Sequence, residues 1–232
     1  ALIHAATMVT AGIYMLMRMN FLTALVPEAL AVVALVGACT ALFAATMGLV
    51  ANDIKNVLAC STVSQLGYMF LGVGVGAPAS GLFHVFTHAF FKALMFLGAG
   101  AVIYSLHHVQ DIRYMGQLRK KLPTIHWTFL AGVIAIAGIW PLAGFWSKDE
   151  ILWQALSNGF FTGVQWHGHS LAWVGKAVYG IGLIGACITP FYMGRLYALV
   201  FHNSDRTGDA PAHEAHADEH VTHADAHGHD AH

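Results

Sequence analysis

The sequence predicts an all-α fold, a polytopic transmembrane helix bundle, and three observations lead there. Hydrophobic residues make up 57% of the 232 positions and charged residues only 10%, with a mean hydropathy of +0.60. Soluble globular chains average roughly 45–50% apolar and about 25% charged. Apolar runs long enough for a helical crossing, which takes about 20 residues, recur along the chain. The charge is also divided: ten of eleven Lys/Arg precede Phe201, while seven of twelve acidic residues follow it.

The candidate spans are residues 1–17, 27–51, 57–76, 79–106, 125 to about 163, and 171–201, about six in all. The first starts at Ala1 without an initiator Met or the charged opening of a signal peptide, so the chain is expected to be a piece of a longer one. The longest connector, HHVQDIRYMGQLRKKLP, carries Arg113, Arg119, Lys120 and Lys121 against Asp111. By the positive-inside rule it faces the cytoplasm. Alternation then places residues 77–80 and 166–170 outside and residues 52–56 inside. The segment after Phe201 also falls inside, with Arg195 near that end. The expected division is a membrane domain over residues 1–201 and a His/Asp-rich cytoplasmic loop or tail over residues 202–232.

The fifth span is too long for one straight helix, and its middle reads GIWPLAGFWSKDE. Pro141 lacks a backbone N–H and clashes with the preceding turn, and Gly138 and Gly144 weaken the helix on either side. Two half-helices joined by an unwound piece near residues 140–147 are predicted, with Ser147 to Glu150 opening the second. Unwound backbone is tolerated in a membrane only where protein or a water-filled cavity satisfies it, and interrupted helices point to ion pathways. The alternative is a loop in water between a short helix and an interfacial one.

FHVFTHAFFKALMF, inside the fourth span, places His84, His88 and Lys92 at steps of four. Such steps advance about 40° beyond a full turn, so the three share one slowly winding stripe. Ser80 extends the stripe and Thr87 sits beside it, while Leu82, Phe86, Ala89, Ala93 and Phe96 form the opposite face. Ionisable residues within spans are costly and mark proton relays or ion paths. Histidine accepts on one ring nitrogen while donating from the other, and a buried lysine changes charge where an arginine cannot. The competing readings are satisfied core histidines and a zinc site, the latter without a carboxylate or Cys partner on the same helix.

Ser61, Ser64, Gln65 and Tyr68 form a second polar stripe at offsets of three, four and seven. They either hold a chain of waters or tie helices together by interhelical hydrogen bonds. Asp53 and Lys55 stand at the cytoplasmic start of that helix, and Asp53 is a candidate N-cap. His4 lies in the first span. Cys39, Cys60 and Cys187 are scattered in apolar runs without metal-ligand spacing and read as small buried hydrophobes. No dinucleotide fingerprint, phosphate loop, CxxC or nucleophile elbow occurs. The tail is low-complexity, with His213, His216, His220, His223, His227, His229 and His232 among Ala and acids. A solvated segment is expected there, with loose zinc or nickel binding as a weaker reading.

ALIHAATMVTAGIY, NDIKNVLACSTVSQLGYMF, FHVFTHAFFKALMFLGAGAVIY, DIRYMGQLRKKLP and GIWPLAGFWSKDEIL together resemble the antiporter-like membrane subunits of respiratory complex I, most of all the bacterial L type. The resemblance covers residues 1 to about 201 and implies the second half of that family's core helices. It implies proton translocation across a bacterial inner membrane, driven by quinone reduction elsewhere in an NADH:quinone oxidoreductase. Matched by motif, Lys92 resembles the central-axis lysine, with His84 and His88 as the relay toward it. Lys148 resembles the lysine of the broken helix, with Asp149 beside it on the outward path. His4 resembles a histidine following the family's first broken helix, and Asp53 and Lys55 a charged pair at the cytoplasmic side. Trp140 stands where the family pattern has proline.

The resemblance further implies no cofactor on this chain. NADH, FMN, iron–sulfur clusters and quinone would belong to other subunits. The implied partners are neighbouring membrane subunits, one of them antiporter-like, and the lipid bilayer; nothing points to nucleic acid. Large subunits of multi-subunit cation/proton antiporters and membrane subunits of energy-converting hydrogenases share this core and remain alternatives, as does a scaffold role in a membrane arm.

Overall fold

Proline and aspartate set the starts of the long helices. The computed structural model describes residues 8–204 and residue 206. Its main helices are α1 (Ala11–Arg18), α2 (Pro27–Val50), α3 (Ile54–Gly74), α4 (Pro78–Ser105), α5 (Pro123–Ala137), α6 (Ala143–Ser157) and α7 (Trp173–Phe201). Pro27, Pro78 and Pro123 occupy the first turns of α2, α4 and α5, where the missing N–H has no helical partner to lose and the fixed φ suits the helix. α3 starts on Asp53, whose carboxylate accepts from the backbone N–H of Lys55 at 2.7 Å and of Asn56 at 3.2 Å. The N-cap expected at Asp53 is present.

α2, α3, α4 and α7 are each long and apolar enough to cross a bilayer. The first expected span is described from residue 8 onward, as a 3-10 turn (Met8–Thr10) running into α1. His4 and the tail histidines from His213 to His232 lie outside the described residues.

The fifth span is broken, but earlier than its sequence suggests. The break covers residues 138–142, and Ser147 and Lys148 lie about a turn inside α6, which already begins at Ala143. Gly138 decides this. It caps α5 with φ of 76°, a left-handed conformation that glycine adopts without a Cβ penalty. The helix therefore stops before Pro141 and resumes as soon as the proline is passed. A Cβ on Gly144 would collide with the Ala135 carbonyl oxygen, so α6 lies against the end of α5 only because that position is glycine.

α3 is the most enclosed of the long helices. It packs on α2 along a seam of small residues, where a Cβ on Gly67 would come within 2.6 Å of the Gly37 carbonyl oxygen. Membrane helices approach closely through such residues, because lipid supplies no hydrophobic drive between helices. Ser64 Oγ fastens the seam by donating to Ala41 O at 2.8 Å.

The end bearing the basic connector is stitched together. Arg195 of α7 donates to Leu49 O at 3.1 Å, Ala51 O at 2.8 Å and Asn52 Oδ1 at 2.7 Å, meeting carbonyls left open at the end of α2. Asn52 O in turn accepts from Ile112 N at 2.8 Å, and Gln117 N donates to Asn203 O at 2.9 Å. At the opposite end, the connector before α7 holds a small antiparallel pair, β1 (Gln165–Trp166) with β2 (His169–Ser170).

The cysteines depart from expectation. Cys39 and Cys187 are exposed and Cys60 is half-buried. The physical reason is the solvent: a helix face turned to lipid is as apolar as the interior, so a small apolar residue is not driven inward.

Candidate functional site

The polar stripe of α4 meets polar residues of α3 and α6 inside the apolar bundle. His84, His88 and Lys92 are each 0% exposed and Lys148 is 4% exposed, so all four lie away from solvent. His84 bridges two helices: its Nδ1 is 2.8 Å from Ser147 Oγ on α6, and its Nε2 is 3.1 Å from Gln65 Oε1 on α3. A neutral imidazole donates from Nε2 to that amide oxygen and accepts at Nδ1. Thr87 Oγ1, on the same face of α4, donates to Ser147 Oγ at 3.0 Å.

Lys148 reaches the helix break from α6. Its Nζ donates to Ile136 O near the end of α5, and it stands 5.7 Å from the centroid of the Tyr68 ring. A cation near the C-terminal end of a half-helix also complements that helix's dipole. Lys92 points the other way, toward α3, donating to Leu58 O at 2.8 Å and to Ser61 Oγ. Its Nζ lies 5.6 Å from the Phe96 ring centroid. Neither lysine has a carboxylate partner among the described residues, so either can change charge without breaking an ion pair.

His88 sits between these groups. Its ring lies 6.3 Å from that of His84 and 5.4 Å from that of Phe91, edge-on to the latter. Along α4, His84, His88 and Lys92 thus form a line from the Lys148 group to the Ser61 group.

The second stripe divides between its two readings. Ser61 and Gln65 join the line through Lys92 and His84. Ser64 and Tyr68 tie helices instead, Tyr68 by an O–H donated to Gly182 O of α7 at 2.6 Å. Lys55 is exposed and lines a cleft of about 840 Å³ between α3 and α4, which reaches Phe96 but neither Lys148 nor His84.

Asp149 is exposed and stands apart from Lys148's contacts. The carboxylate aligned with the stripe is Glu150, half-buried, which accepts from Ser80 Oγ at 3.3 Å and from Gln154 Nε2 at 2.8 Å. Ser147 and Glu150 were not singled out as site residues by sequence, although Ser147, Glu150 and Gln154 repeat at helical offsets of three and seven. That spacing mirrors Ser80, His84 and Thr87 on the facing helix.

The NADH:quinone oxidoreductase/Mrp antiporter transmembrane family matches residues 1–171. The chain belongs to this family. Among curated members, NADH-quinone oxidoreductase subunit L of Pseudomonas aeruginosa is 47% identical over 224 residues, covering 96% of this chain and 33% of the relative. Its Escherichia coli counterpart is 46% identical over 226 residues, covering 97% and 33%. A subunit 5 of NAD(P)H-quinone oxidoreductase from Paulinella chromatophora is 47% identical over 214 residues, covering 89% and 30%. The chain thus spans about a third of the length of these relatives. Among solved structures, the Mrp complex from Dietzia sp. superimposes with a TM-score of 0.65 at 25% identity, over 81% of this chain and 34% of that one.

Proposed function

We propose that this chain is part of a proton-translocating L-type membrane subunit of an NADH:quinone oxidoreductase. The observation that carries the reading is a line of buried polar groups in two hydrogen-bonded sets, Ser147–His84–Gln65 with Lys148 next to Ser147 on α6, and Lys92–Ser61, with the His88 ring between them. Two lysines and two histidines gathered along one buried line are costly within a membrane and mark proton relays or ion paths. Identities of 46–47% to the subunit L proteins, against 25% to the Mrp structure, favour the quinone-linked reading over cation/proton antiport.

In this mechanism Lys92 and Lys148 alternate between charged and neutral forms. His84 and His88 pass protons between them, each ring accepting on one nitrogen and releasing from the other. Like charges in a low-dielectric interior repel strongly, so charging one lysine raises the cost of charging its neighbour and drives a proton along the line. Ser61 and Gln65 hold the line, Ser64 and Tyr68 brace it, and Asp53 with Lys55 marks its cytoplasmic end. Asp149 and His4 are retained as family-implied supporting residues. NADH, FMN, iron–sulfur clusters and quinone would belong to other subunits of the complex, and this chain's partners would be other membrane subunits, one of them antiporter-like, and the lipid of a bacterial inner membrane.

The test is Lys92→Ala in the full-length subunit within its complex, with NADH oxidation and proton uptake followed together in membrane vesicles. The expected result is an assembled complex whose uptake falls. Normal uptake would leave the stripe a structural feature and support the scaffold reading.

A further inference from the structure

His84 has a different kind of partner at each ring nitrogen. Nδ1 faces the Ser147 hydroxyl at 2.8 Å, a group that can give or take a hydrogen bond. Nε2 faces the Gln65 amide oxygen at 3.1 Å, which can only accept. That oxygen therefore keeps a proton on Nε2, and it is far too weak a base to carry the proton away as a carboxylate or a second imidazole would. Gln65 is 0% exposed, and its own Nε2 has no hydrogen-bond partner among the described residues. Methionine would fill the same space and leave no buried donor over, so packing alone does not call for an amide here.

Nδ1 is then the one ring position open to proton exchange. A proton arriving from the α6 side reaches Ser147 Oγ; the hydroxyl's own proton forms the bond to Nδ1, and the arriving proton restores the hydroxyl. Ser147 then accepts from Nδ1–H and turns its O–H to Ala143 O, 3.2 Å away. Unloading reverses these moves. Passage toward Lys92 is different. Nε2 is the nitrogen turned to α3, where Gln65 stands one turn from Ser61, the residue that receives Lys92. The amide oxygen occupies that exit. It is the amide's one tie, so a turn of the Gln65 side chain uncovers Nε2–H.

We propose that Gln65 is a positioning residue that acts as a valve in the proton line. Bonded to His84, it confines loading and unloading to the Ser147 side; turned away, it opens His84 toward His88 and Lys92. This deepens the proton-path reading above and rests on it. It also gives the two hydrogen-bonded sets a reason to be separate, since a line connected at all times would let protons run back.

The experiment uses the full-length subunit in its assembled complex in vesicles. It follows the decay of an imposed pH gradient without NADH, beside NADH-driven uptake. Gln65→Glu keeps the shape but offers a base that takes the Nε2 proton, so the gradient should decay several-fold faster than with the wild type. Adding His84→Ala should remove the extra decay; persisting decay would place the leak elsewhere and overturn the proposal. Gln65→Met fills the space and carries no proton, so these vesicles should stay as tight as the wild type. Fast decay in both Gln65 variants would mean packing damage, and wild-type decay in Gln65→Glu would mean no valve; either overturns the proposal. If Gln65→Glu fails to assemble, Ser147 decides. Ser147→Ala removes the only port and should cut driven uptake about tenfold, the effect of one hydrogen bond to a charged ring, and Ser147→Thr should restore it. Wild-type uptake in Ser147→Ala would mean that Nε2 exchanges protons, and would overturn the proposal. If Lys92→Ala leaves driven uptake intact, the proton-path reading fails first. If Lys92→Ala abolishes it and Gln65→Glu vesicles stay tight, only the role of Gln65 fails.

Discussion

Lys92 and Lys148 are both buried in an apolar bundle, yet they are held by different kinds of backbone. Lys92 leans on Leu58 O, a carbonyl inside the continuous helix α3 that also receives the hydroxyls of Ser61 at 2.8 Å and Thr62 at 3.0 Å. Lys148 leans on Ile136 O, beside the break that follows α5. The Gly138 and Ile139 N–H groups turn back to Ala135 and Ile134 at 3.2 Å and 3.3 Å and pass Ile136 by. One lysine is an extra donor to an oxygen already served; the other is the donor that a broken helix requires. Unwound backbone within a membrane must find such partners, so at Lys148 a structural role coincides with the proposed proton-carrying one.

The widest test of that difference compares Lys148→Met with Lys92→Met. Both variants are expected to lose proton uptake. Only Lys148→Met should also lower the thermal unfolding midpoint of the detergent-solubilised complex, because it orphans a buried carbonyl at a cost of about 1–3 kcal/mol. Lys92→Met leaves Leu58 O with two hydroxyl donors and should unfold close to the wild type. Equal midpoints for the two variants would break the comparison.

Gly144→Ala sharpens the same point without touching a group that carries charge. The added methyl meets the Ala135 carbonyl oxygen, so α6 must shift from the end of α5 and carry Lys148 away from Ile136 O. Overpacking of this kind costs about 1–3 kcal/mol. The expected result is a partial loss of uptake that follows the lost stability, with Lys92's surroundings on α3 unchanged. Uptake at the wild-type level in a destabilised variant would show that the Lys148–Ile136 contact is not needed for transport.

How much of this was legible in the sequence depended on whether a residue's meaning is local. The break was legible because Pro141 and Gly138 act on their own helix, though the residue count misjudged its limits by ignoring the early stop that Gly138 imposes. The α4 stripe was legible because three titratable residues in an apolar run stand out unaided. Asp53 was legible as a cap for the same reason. The division of the α3 stripe was not, since whether a serine binds Lys92 or Ala41 depends on which helix faces it. Glu150 was hidden too: its partner Ser80 lies on another helix, and no spacing within one helix reveals a neighbour across a seam. The exposed cysteines were misread because burial rules learned from water do not carry over to a lipid-facing surface.

The smallest expected effect lies outside the buried line, at the basic end. Asp111 is buried in the connector beside Arg113, whose guanidinium meets its Oδ2 at 2.5 Å and whose backbone N–H meets its Oδ1 at 2.8 Å. Burial pushes the Asp111 carboxyl up, but the Arg113 hydrogen bonds and charge, with Arg195 behind them, outweigh burial and hold it below the usual carboxylate range. A carboxyl depressed in the folded state stabilises the fold fully above its unfolded value, near 3.9. That contribution is lost as pH falls through the lower folded value. Because the Arg113 side chain is 58% exposed, screening limits the effect to about 1 kcal/mol or less. Unfolding midpoints of the complex measured from pH 7 down to about pH 3 should therefore show a shallow acid-side decline, which Asp111→Asn flattens. Proton uptake by Asp111→Asn at neutral pH should match the wild type, because this ion pair stitches the basic end and is not part of the line from Lys148 to Lys92. A large loss of uptake in that variant would extend the functional path into the connector and remove the separation between the two lysine sites and the scaffold that carries them.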